Sequence, residues 1–198
     1  MIRLGMFGGT FDPVHYGHLK PLEAARQALE LERILMLPNP RPPHKQHLVL
    51  TPYEHRKQML RLALDEFPHL VIADYEESAV GAAYTTDTVR RIIADLPDEE
   101  HELWLIIGAD SLLEMHLWRD PEAIFKDTRI AVLPRPGADL AQARPEYRSR
   151  VRILDTPLVE ISATQIRESI KLGADSSGLL PESVLGYIRE HDLYLNNQ

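Results

Sequence analysis

The sequence contains no cysteine, which excludes disulfide bonds and thiolate metal ligands. Basic residues are fewer than acidic ones, 22 against 30, and the resulting net charge of −8 argues against a nucleic-acid-binding surface. Long apolar runs are also missing. The run near the amino terminus is too short for a signal peptide, and Leu103–Ile107 is far too short to cross a membrane. These absences predict a cytoplasmic protein with neither nucleic acid nor membrane as partner.

The 198 residues are predicted to form a single domain, 1–198, which is long enough to bury a sizeable core. Apolar residues make up 44% of the chain and charged residues 26%, both ordinary for a globular protein. No internal repeat or second-domain boundary is visible. An assembly of identical chains is compatible with this composition.

Short apolar runs alternate with amphipathic stretches, which predicts strands alternating with helices. The predicted strands are Ile2–Phe7, Arg33–Leu37, Leu70–Asp74, Glu102–Ile107, Arg129–Leu133 and Val151–Leu154. The predicted helices are Gly17–Leu31, Pro52–Glu66, Thr86–Leu96, Pro121–Lys126, Ala163–Leu172 and Pro181–His191. Continuous apolar strands suit a sheet covered on both faces, so the pattern predicts an α/β doubly wound parallel sheet with a small C-terminal helical extension.

Three helix starts carry local signals. Thr51–Glu54 and Ser162–Gln165 each read as a capping box, the first with proline at the first helical position. Asp120 before Pro121 predicts a third start. The polar segment Pro134–Arg150 is predicted to be a surface connection.

The stretch Gly8–His18 reads Gly-Gly-Thr-Phe-Asp-Pro-Val-His-Tyr-Gly-His and follows the first predicted strand. Glycines let backbone N–H groups approach a ligand, and a helix N-terminus favours phosphate. His15 and His18 lie three positions apart and share one helical face. The stretch therefore predicts a triphosphate site with donor side chains aimed at it. A metal pair is the alternative, but no third ligand stands at a supporting spacing.

The segment Ile161–Arg167 predicts a second anion-binding helix start, capped by Ser162. Arg167 lies one turn into that helix, where its guanidinium could hold phosphate oxygens. A capped helix with a surface arginine is the alternative for this segment taken alone.

Two middle segments also carry candidate residues. The proline-rich loop 39–45 places Asn39, His44 and Lys45 where they could meet a second anion, or it is a solvated basic loop. Asp110 follows Gly108 at a strand end, where a carboxylate commonly binds ribose hydroxyls, although it also suits the N-cap of a helix over Ser111–Met115.

Aromatic residues suggest a site for a flat ring. Tyr84 and Thr85 stand in one segment, and Trp118 and Arg119 in another. The rings could stack on a ligand, and Arg119 could favour a carboxylate on it. The alternative is a core tryptophan followed by a surface arginine, and the sequence leaves both open.

The opening stretch resembles the His-x-Gly-His signature of a nucleotidyltransferase superfamily, and Ile161–Arg167 resembles its closing Ile-Ser-x-Thr-x-Ile-Arg motif. The middle segments look like those of bacterial nicotinate-nucleotide adenylyltransferases. The resemblance runs from Leu4 to the helix at Tyr187 and implies a Rossmann-like fold. It implies that ATP and nicotinate mononucleotide give deamido-NAD and pyrophosphate by direct attack on the α-phosphate.

The resemblance also implies roles for individual residues. His15, His18 and Arg167 would be catalytic. The residues implied for ATP are Gly8, Gly9, Thr10, Phe11, His15, His18, Gly108, Asp110, Ser162 and Arg167, and those for the mononucleotide are Asn39, His44, Lys45, Tyr84, Thr85, Trp118 and Arg119. Mg²⁺ would be bound through the ATP phosphates, since no carboxylate cluster resembles a dedicated metal site.

Two positions depart from the family pattern. Ala83 stands where serine is expected, and Arg119 occupies a position that is often aromatic. Our hypothesis is that an inward-pointing Arg119 strengthens the preference for the acid over the amide. An unchanged acid-to-amide preference in Arg119→Ala would contradict it.

Other functions fit the sequence less well. A classical NAD-dependent dehydrogenase needs Gly-x-Gly-x-x-Gly after the first strand, and the turn here differs. A non-catalytic nucleotide-binding module would not require both His15 and His18. The Tyr84 and Trp118 segments argue against a sister adenylyltransferase for pantetheine phosphate and against a cytidylyltransferase.

Overall fold

The computed structural model describes residues 1–40, 49–77, 84–97 and 100–195. Within that part of the chain a six-stranded sheet has the order β3-β2-β1-β4-β5-β6, and all neighbouring strands are parallel. The strands are β1 (Ile2–Gly9), β2 (Arg33–Pro38), β3 (Leu70–Ile72), β4 (His101–Gly108), β5 (Arg129–Leu133) and β6 (Val151–Ile153). The sequence order reverses at β1, which makes the carboxyl edge beside β1 and β4 the expected ligand crevice.

Helices cover both faces of the sheet. They are α1 (Tyr16–Ala28), α2 (Tyr53–Leu64), α3 (Thr85–Asp95), α4 (Ala109–Leu113), α5 (Pro121–Asp127), α6 (Pro145–Arg148), α7 (Ala163–Lys171) and α8 (Glu182–Glu190), with single 3₁₀ turns at Met115–Leu117 and Leu140–Gln142. One core lies under α1, α2, α7 and α8, and a second lies under α3, α4 and α5. The predicted doubly wound fold with a C-terminal helical extension is confirmed.

The two cores follow from strand alternation. Leu4 and Met6 point to the face that Val89 and Ile92 of α3 cover, because successive side chains of a strand point to opposite faces. The opposite face packs against residues such as Leu19 of α1. Burying both faces of β1 places its carboxyl end at the centre of the molecule.

The start of α2 differs from the prediction. Pro52, not Thr51, is the N-cap of α2, and no side chain caps it. The Thr51 backbone is used elsewhere: its N–H donates to Asp12 Oδ2 at 3.1 Å, and its carbonyl accepts from Arg56 Nε at 2.9 Å. The capping box predicted for 51–54 is therefore wrong, whereas the caps at Ser162 and Asp120 are confirmed.

The connection 134–150 contains a helical turn and α6, which the sequence did not predict. Most of its residues are exposed, but Ala143 is buried in the second core. No helix in the described ranges is long and apolar enough to cross a membrane.

Candidate active site

The turn between β1 and α1 is held in an unusual conformation by close packing. Phe11 has a φ of 50°, in the left-handed region, and its ring lies almost entirely buried beneath Gly9. A Cβ at Gly9 would stand 2.8 Å from that ring, so only glycine fits there. The predicted glycine turn therefore brings bare backbone to the carboxyl edge of the sheet.

His15 and His18 lie together at the beginning of α1. His15 is the N-cap of the helix, and the two imidazole rings stack with their centroids 3.8 Å apart. Gly17 makes this possible, because a Cβ there would lie 2.8 Å from His15 Nδ1 and 2.8 Å from the Ile161 carbonyl oxygen. The glycine of the His-x-Gly-His motif is thus a packing requirement of the site.

The protonation of His15 follows from its burial. Only 4% of the residue is exposed, and burial, together with the positive charge of Arg135, lowers its pKa to about 4. The ring is therefore neutral near pH 7. Its Nδ1 has no hydrogen-bond partner among the residues described. A neutral imidazole at a helix N-terminus can donate one N–H to an anion without a charge of its own.

The second motif lies directly against the first. Ser162 and Gln165 form a complete capping box at the start of α7. Arg167 Nη1 donates to the Asp12 carbonyl oxygen at 2.8 Å, and Nη2 donates to Thr164 Oγ1 at 3.3 Å. The capped helix of the alternative is present, but its arginine is half-buried against the β1–α1 turn and is not a surface side chain. The N-termini of α1 and α7 meet across Gly17.

Arg56 is a residue of the site that sequence reasoning missed. Its side chain is 1% exposed, and it donates to the carbonyls of Thr10 at 2.6 Å, Asn39 at 2.9 Å and Pro40 at 3.2 Å. The guanidinium thus joins the chain after β1 to the chain after β2. Asn39 N–H also donates to the Gly9 carbonyl at 3.0 Å, which places Asn39 beside the turn. His44 and Lys45 lie outside the described residues.

Asp12 is a second missed position. Its buried carboxylate accepts from Thr51 N–H and, at 2.7 Å, from the hydroxyl of Tyr194. Burial raises the pKa of Tyr194 well above its usual range, and the neighbouring Asp12 charge raises it further, so the phenol stays a donor. The turn is therefore fixed by hydrogen bonds from two segments that are far from it in the sequence, at Thr51 and Tyr194.

The predicted adenosine segment lies at the end of β4. Gly108 is the N-cap of α4, so the suggestion that Asp110 caps a helix over Ser111–Met115 is wrong. Asp110 stands in the first turn instead, and its Oδ2 pairs with Arg135 Nη1 at 2.5 Å. Both side chains are more than half exposed. Arg135 follows β5 and was not predicted, but its positive charge lowers the pKa of His15.

The predicted ring segments are brought together near the N-terminus of α3. Tyr84 is the N-cap of this helix, Thr85 begins it, and the Arg119 guanidinium lies 4.8 Å from the Tyr84 ring centre. Arg119 also pairs with Asp87 at 3.3 Å and is 60% exposed. Trp118 is half-buried against the second core. The two segments are adjacent, although Arg119 is turned to the surface and Trp118 packs on the core, as the alternative for this pair predicts.

The described residues contain no group of three or more histidine or carboxylate side chains that could hold a metal ion. His15 and His18 therefore have no third ligand among them. Their position at the beginning of α1 fits an anion.

The fold and the two facing helix N-termini define a class of nucleotide-binding α/β proteins. Residues 6–169 match the family model described as Cytidylyltransferase-like. The chain is 40% identical to the "Probable nicotinate-nucleotide adenylyltransferase" of Symbiobacterium thermophilum, over 100% of this chain and 98% of that relative. It is 38% identical to the protein of the same description from Moorella thermoacetica, over 97% and 91% of the two chains. The chain belongs to the nicotinate-nucleotide adenylyltransferase family.

Solved structures agree on the fold. The nicotinic acid mononucleotide adenylyltransferase of Plasmodium falciparum, complexed with NaAD, is similar with a TM-score of 0.81, covering 100% of this chain and 99% of that one at 16% identity. The same enzyme complexed with APC gives a TM-score of 0.80 at 16% identity, with coverage of 100% and 99%. The predicted family and fold class are confirmed.

Proposed function

We propose that this chain transfers the adenylyl group of ATP to nicotinate mononucleotide, giving deamido-NAD and pyrophosphate. The observation that carries the proposal is the meeting of two phosphate-binding elements. The N-terminus of α1 with its stacked His15–His18 pair and the capped N-terminus of α7 with Arg167 lie against each other across Gly17. Both elements favour anions, and a triphosphate is the anion that spans them.

The chemistry needs little covalent help from the protein. An oxygen of the mononucleotide phosphate attacks the α-phosphorus of ATP, a new P–O–P link forms, and the bond to the β-phosphate oxygen breaks. His15, His18 and Arg167 hold the reactants in line and stabilise the charge that grows on the equatorial oxygens. Because His15 is neutral, it acts in this proposal as a hydrogen-bond donor and not as a cation.

The remaining site residues divide between the two substrates. Gly8, Gly9, Thr10 and Phe11 line the phosphate turn, and Ser162 caps the opposing helix. Gly108 and Asp110 at the end of β4 hold the adenosine, which requires Asp110 to exchange Arg135 for ribose hydroxyls. Asn39, His44 and Lys45 approach the mononucleotide phosphate, and Tyr84 and Thr85 lie beside its ring. Trp118 and Arg119 complete the ring pocket, which requires both side chains to turn from the positions described above.

Mg²⁺ fits the proposal as a companion of the ATP phosphates, because the described residues offer no carboxylate cluster for it. When bound, the ion neutralises phosphate charge as pyrophosphate leaves. We further infer a cytoplasmic enzyme, from the absence of cysteine and of membrane-spanning helices among the described residues. We also infer that any assembly of identical chains is not needed to complete the site, since both helix ends come from one chain.

The experiment is pyrophosphate release from ATP and Mg²⁺ with nicotinate mononucleotide, nicotinamide mononucleotide or phosphopantetheine as acceptor. We expect the fastest release with nicotinate mononucleotide. His18→Ala is expected to lower kcat by roughly 10²–10³-fold, the cost of removing one donor from the developing charge. His69→Ala is the matched control, because this exposed histidine lies before β3, at the opposite edge of the sheet.

Each outcome decides between functions. Release with phosphopantetheine foremost would keep adenylyl transfer and contradict the ring pocket. Tight ATP binding without release for any acceptor would contradict the proposal and support a binding module.

A further inference from the structure

Glu76, just after β3, is a buried carboxyl group that the mechanism above does not use. The residue is 8% exposed, and its Oε2 has no hydrogen-bond partner among the described residues. An unpartnered buried carboxylate is costly, because desolvation is not offset by hydrogen bonds. Burial raises the pKa of Glu76 to about 7, against a smaller lowering by the Thr88 hydroxyl. Such a group needs a reason to be retained.

The carboxyl group borders a space beside Gly8 that the described residues leave unfilled. Gly8 is exposed, and a Cβ built on it would lie 4.0 Å from Glu76 Oε1 and 4.0 Å from the Leu37 carbonyl oxygen, with no other described neighbour as near. Both bordering atoms are oxygens that accept hydrogen bonds. A ligand that enters this space meets the Oε1 side of the Glu76 carboxyl group and has to carry donors to bind it, and hydroxyl groups fit.

This space lies between the two parts of the proposed mononucleotide site. Gly8 follows Leu4 and Met6 on the face of β1 that α3 covers. The Thr88 hydroxyl, which is near enough to lower the pKa of Glu76, donates to the Tyr84 carbonyl at 3.3 Å, so Glu76 lies beside the ring segment. The phosphate turn begins at the next residue along β1, Gly9.

A mononucleotide has its ribose between its ring and its phosphate. With the ring near Tyr84 and the phosphate near Asn39, whose N–H reaches the Gly9 carbonyl, the ribose would lie over Gly8. We propose that Glu76 binds the ribose hydroxyls of the mononucleotide substrate and thereby sets its position for attack. Glu76 would bind the ribose of the mononucleotide in the way proposed for Asp110 and the ribose of ATP, from the other side of β1. This inference rests on the proposed function.

The test compares wild-type protein and Glu76→Gln in steady-state kinetics with nicotinate mononucleotide and with its 2′-deoxy and 3′-deoxy analogues. We expect Glu76→Gln to raise KM for the mononucleotide about tenfold or more, the effect of weakening a hydrogen bond to a charged acceptor, with KM for ATP unchanged. With wild-type protein, KM for at least one deoxy analogue should exceed KM for nicotinate mononucleotide by a similar factor. With Glu76→Gln, KM for that analogue and KM for nicotinate mononucleotide should be nearly equal, since the two changes remove the same contact.

The control variant is Glu77→Gln. Glu77 is the adjacent carboxylate, but it pairs with Lys57 at 2.7 Å and is 41% exposed. It should leave KM for the mononucleotide unchanged.

Thermal unfolding without substrates separates binding from a structural role. Glu76→Gln should be at least as stable as the wild type at pH 8, because it removes an unpaired buried charge. Three results would each overturn the proposal. They are a lower melting temperature of Glu76→Gln, an unchanged KM for the mononucleotide, and a deoxy analogue whose KM exceeds that of the mononucleotide by the same factor in the variant as in the wild type. If the wild type releases no pyrophosphate with nicotinate mononucleotide, the proposed function fails, and direct binding of the mononucleotide to both proteins then tests Glu76 by itself.

Discussion

At the residue scale, Gly17 shows how one missing side chain builds the phosphate site. Its α-carbon faces His15 on one side and the Ile161 carbonyl on the other, and a Cβ would lie 2.8 Å from each. The backbone carbonyl cannot move away without displacing α7, so the His15 ring has to yield. The spacing of the two histidine rings therefore depends on the glycine between them.

Gly17→Ala is expected to lower kcat by about 10²-fold or more, because displacement of a catalytic group by 1 Å has an effect of that order. The measurement is pyrophosphate release under saturating substrates, with thermal unfolding alongside. Gly186→Ala is the matched control: Gly186 lies in α8 with nothing within 4 Å of its added Cβ, and alanine there should raise stability by about 0.5–1 kcal/mol. Full activity in Gly17→Ala would contradict this role.

His15 also makes a pH-dependent contribution to stability. Burial holds its pKa near 4 in the folded protein, below the unfolded value of 6.5. Between these values the unfolded chain binds the proton and the folded chain does not, so stability is lost as pH falls from about 6.5 to about 4. The shift corresponds to roughly 3 kcal/mol at most.

His15→Gln should flatten this part of the pH profile. Urea unfolding of both proteins at pH 7 and pH 5 measures the difference. If the free energy of unfolding changes equally between pH 7 and pH 5 in the two proteins, the pKa of His15 is not lowered by folding.

At the element scale, the capping box of α7 connects stability to the site. The Ser162 hydroxyl oxygen accepts from Gln165 N–H at 3.2 Å, and the Gln165 side chain accepts from Ser162 N–H at 3.2 Å. Together they fix the first turn of the helix that carries Arg167. Loss of the cap should therefore disturb the guanidinium as well as the helix.

Ser162→Ala is expected to lower the free energy of unfolding by about 1 kcal/mol and to raise KM for ATP. Denaturant unfolding and initial rates measure the two effects. Ser169→Ala, the same change inside the helix, should produce neither. A stability loss with KM for ATP unchanged would separate the cap from the phosphate site.

The strands and helices were largely predictable because the local pattern determines them. All six predicted strands are present with ends within two residues, since buried parallel strands are continuous apolar runs. Arg56 was not predictable. On an amphipathic helix an arginine is normally solvated, and its burial depends on carbonyls that follow β1 and β2. The sequence predicted the residues of the two end motifs but not the contacts that join them.

The same reasoning explains the error at Thr51. Threonine before proline and glutamate is a good local capping signal. A tertiary contact, the hydrogen bond from Thr51 N–H to buried Asp12, fixes the chain in a different arrangement. A local capping pattern predicts the wrong helix start here because the backbone N–H of Thr51 is hydrogen-bonded to the turn.

At the scale of the whole molecule, a buried network joins distant segments behind the catalytic turn. The Asp12 carboxylate accepts hydrogen bonds from the Thr51 N–H and the Tyr194 hydroxyl, and the Asp12 carbonyl accepts one from the Arg167 guanidinium. Arg56 lies beside it and supplies the opposite charge. No one of these segments can move without loosening the others.

Tyr194→Phe is expected to cost about 1–3 kcal/mol of stability, because it leaves a buried carboxylate oxygen without its donor. Activity at low temperature should fall through kcat more than through either KM, since the turn loosens while both pockets remain. Tyr147→Phe is the control, because Tyr147 stacks on Phe125 at the second core, whereas Phe11 of the turn lies in the first. Unchanged stability in Tyr194→Phe would show that Asp12 does not need this donor.

The Tyr194–Asp12 hydrogen bond also has a consequence for biosynthesis. The two residues are 182 positions apart, so a ribosome makes Asp12 long before its partner. The hydrogen-bond network behind the β1–α1 turn of a nascent chain is therefore completed only after residue 194 has left the exit tunnel. A truncated translation product that ends earlier keeps both histidines and every glycine of the opening motif, yet its turn lacks one of the hydrogen bonds that fix it.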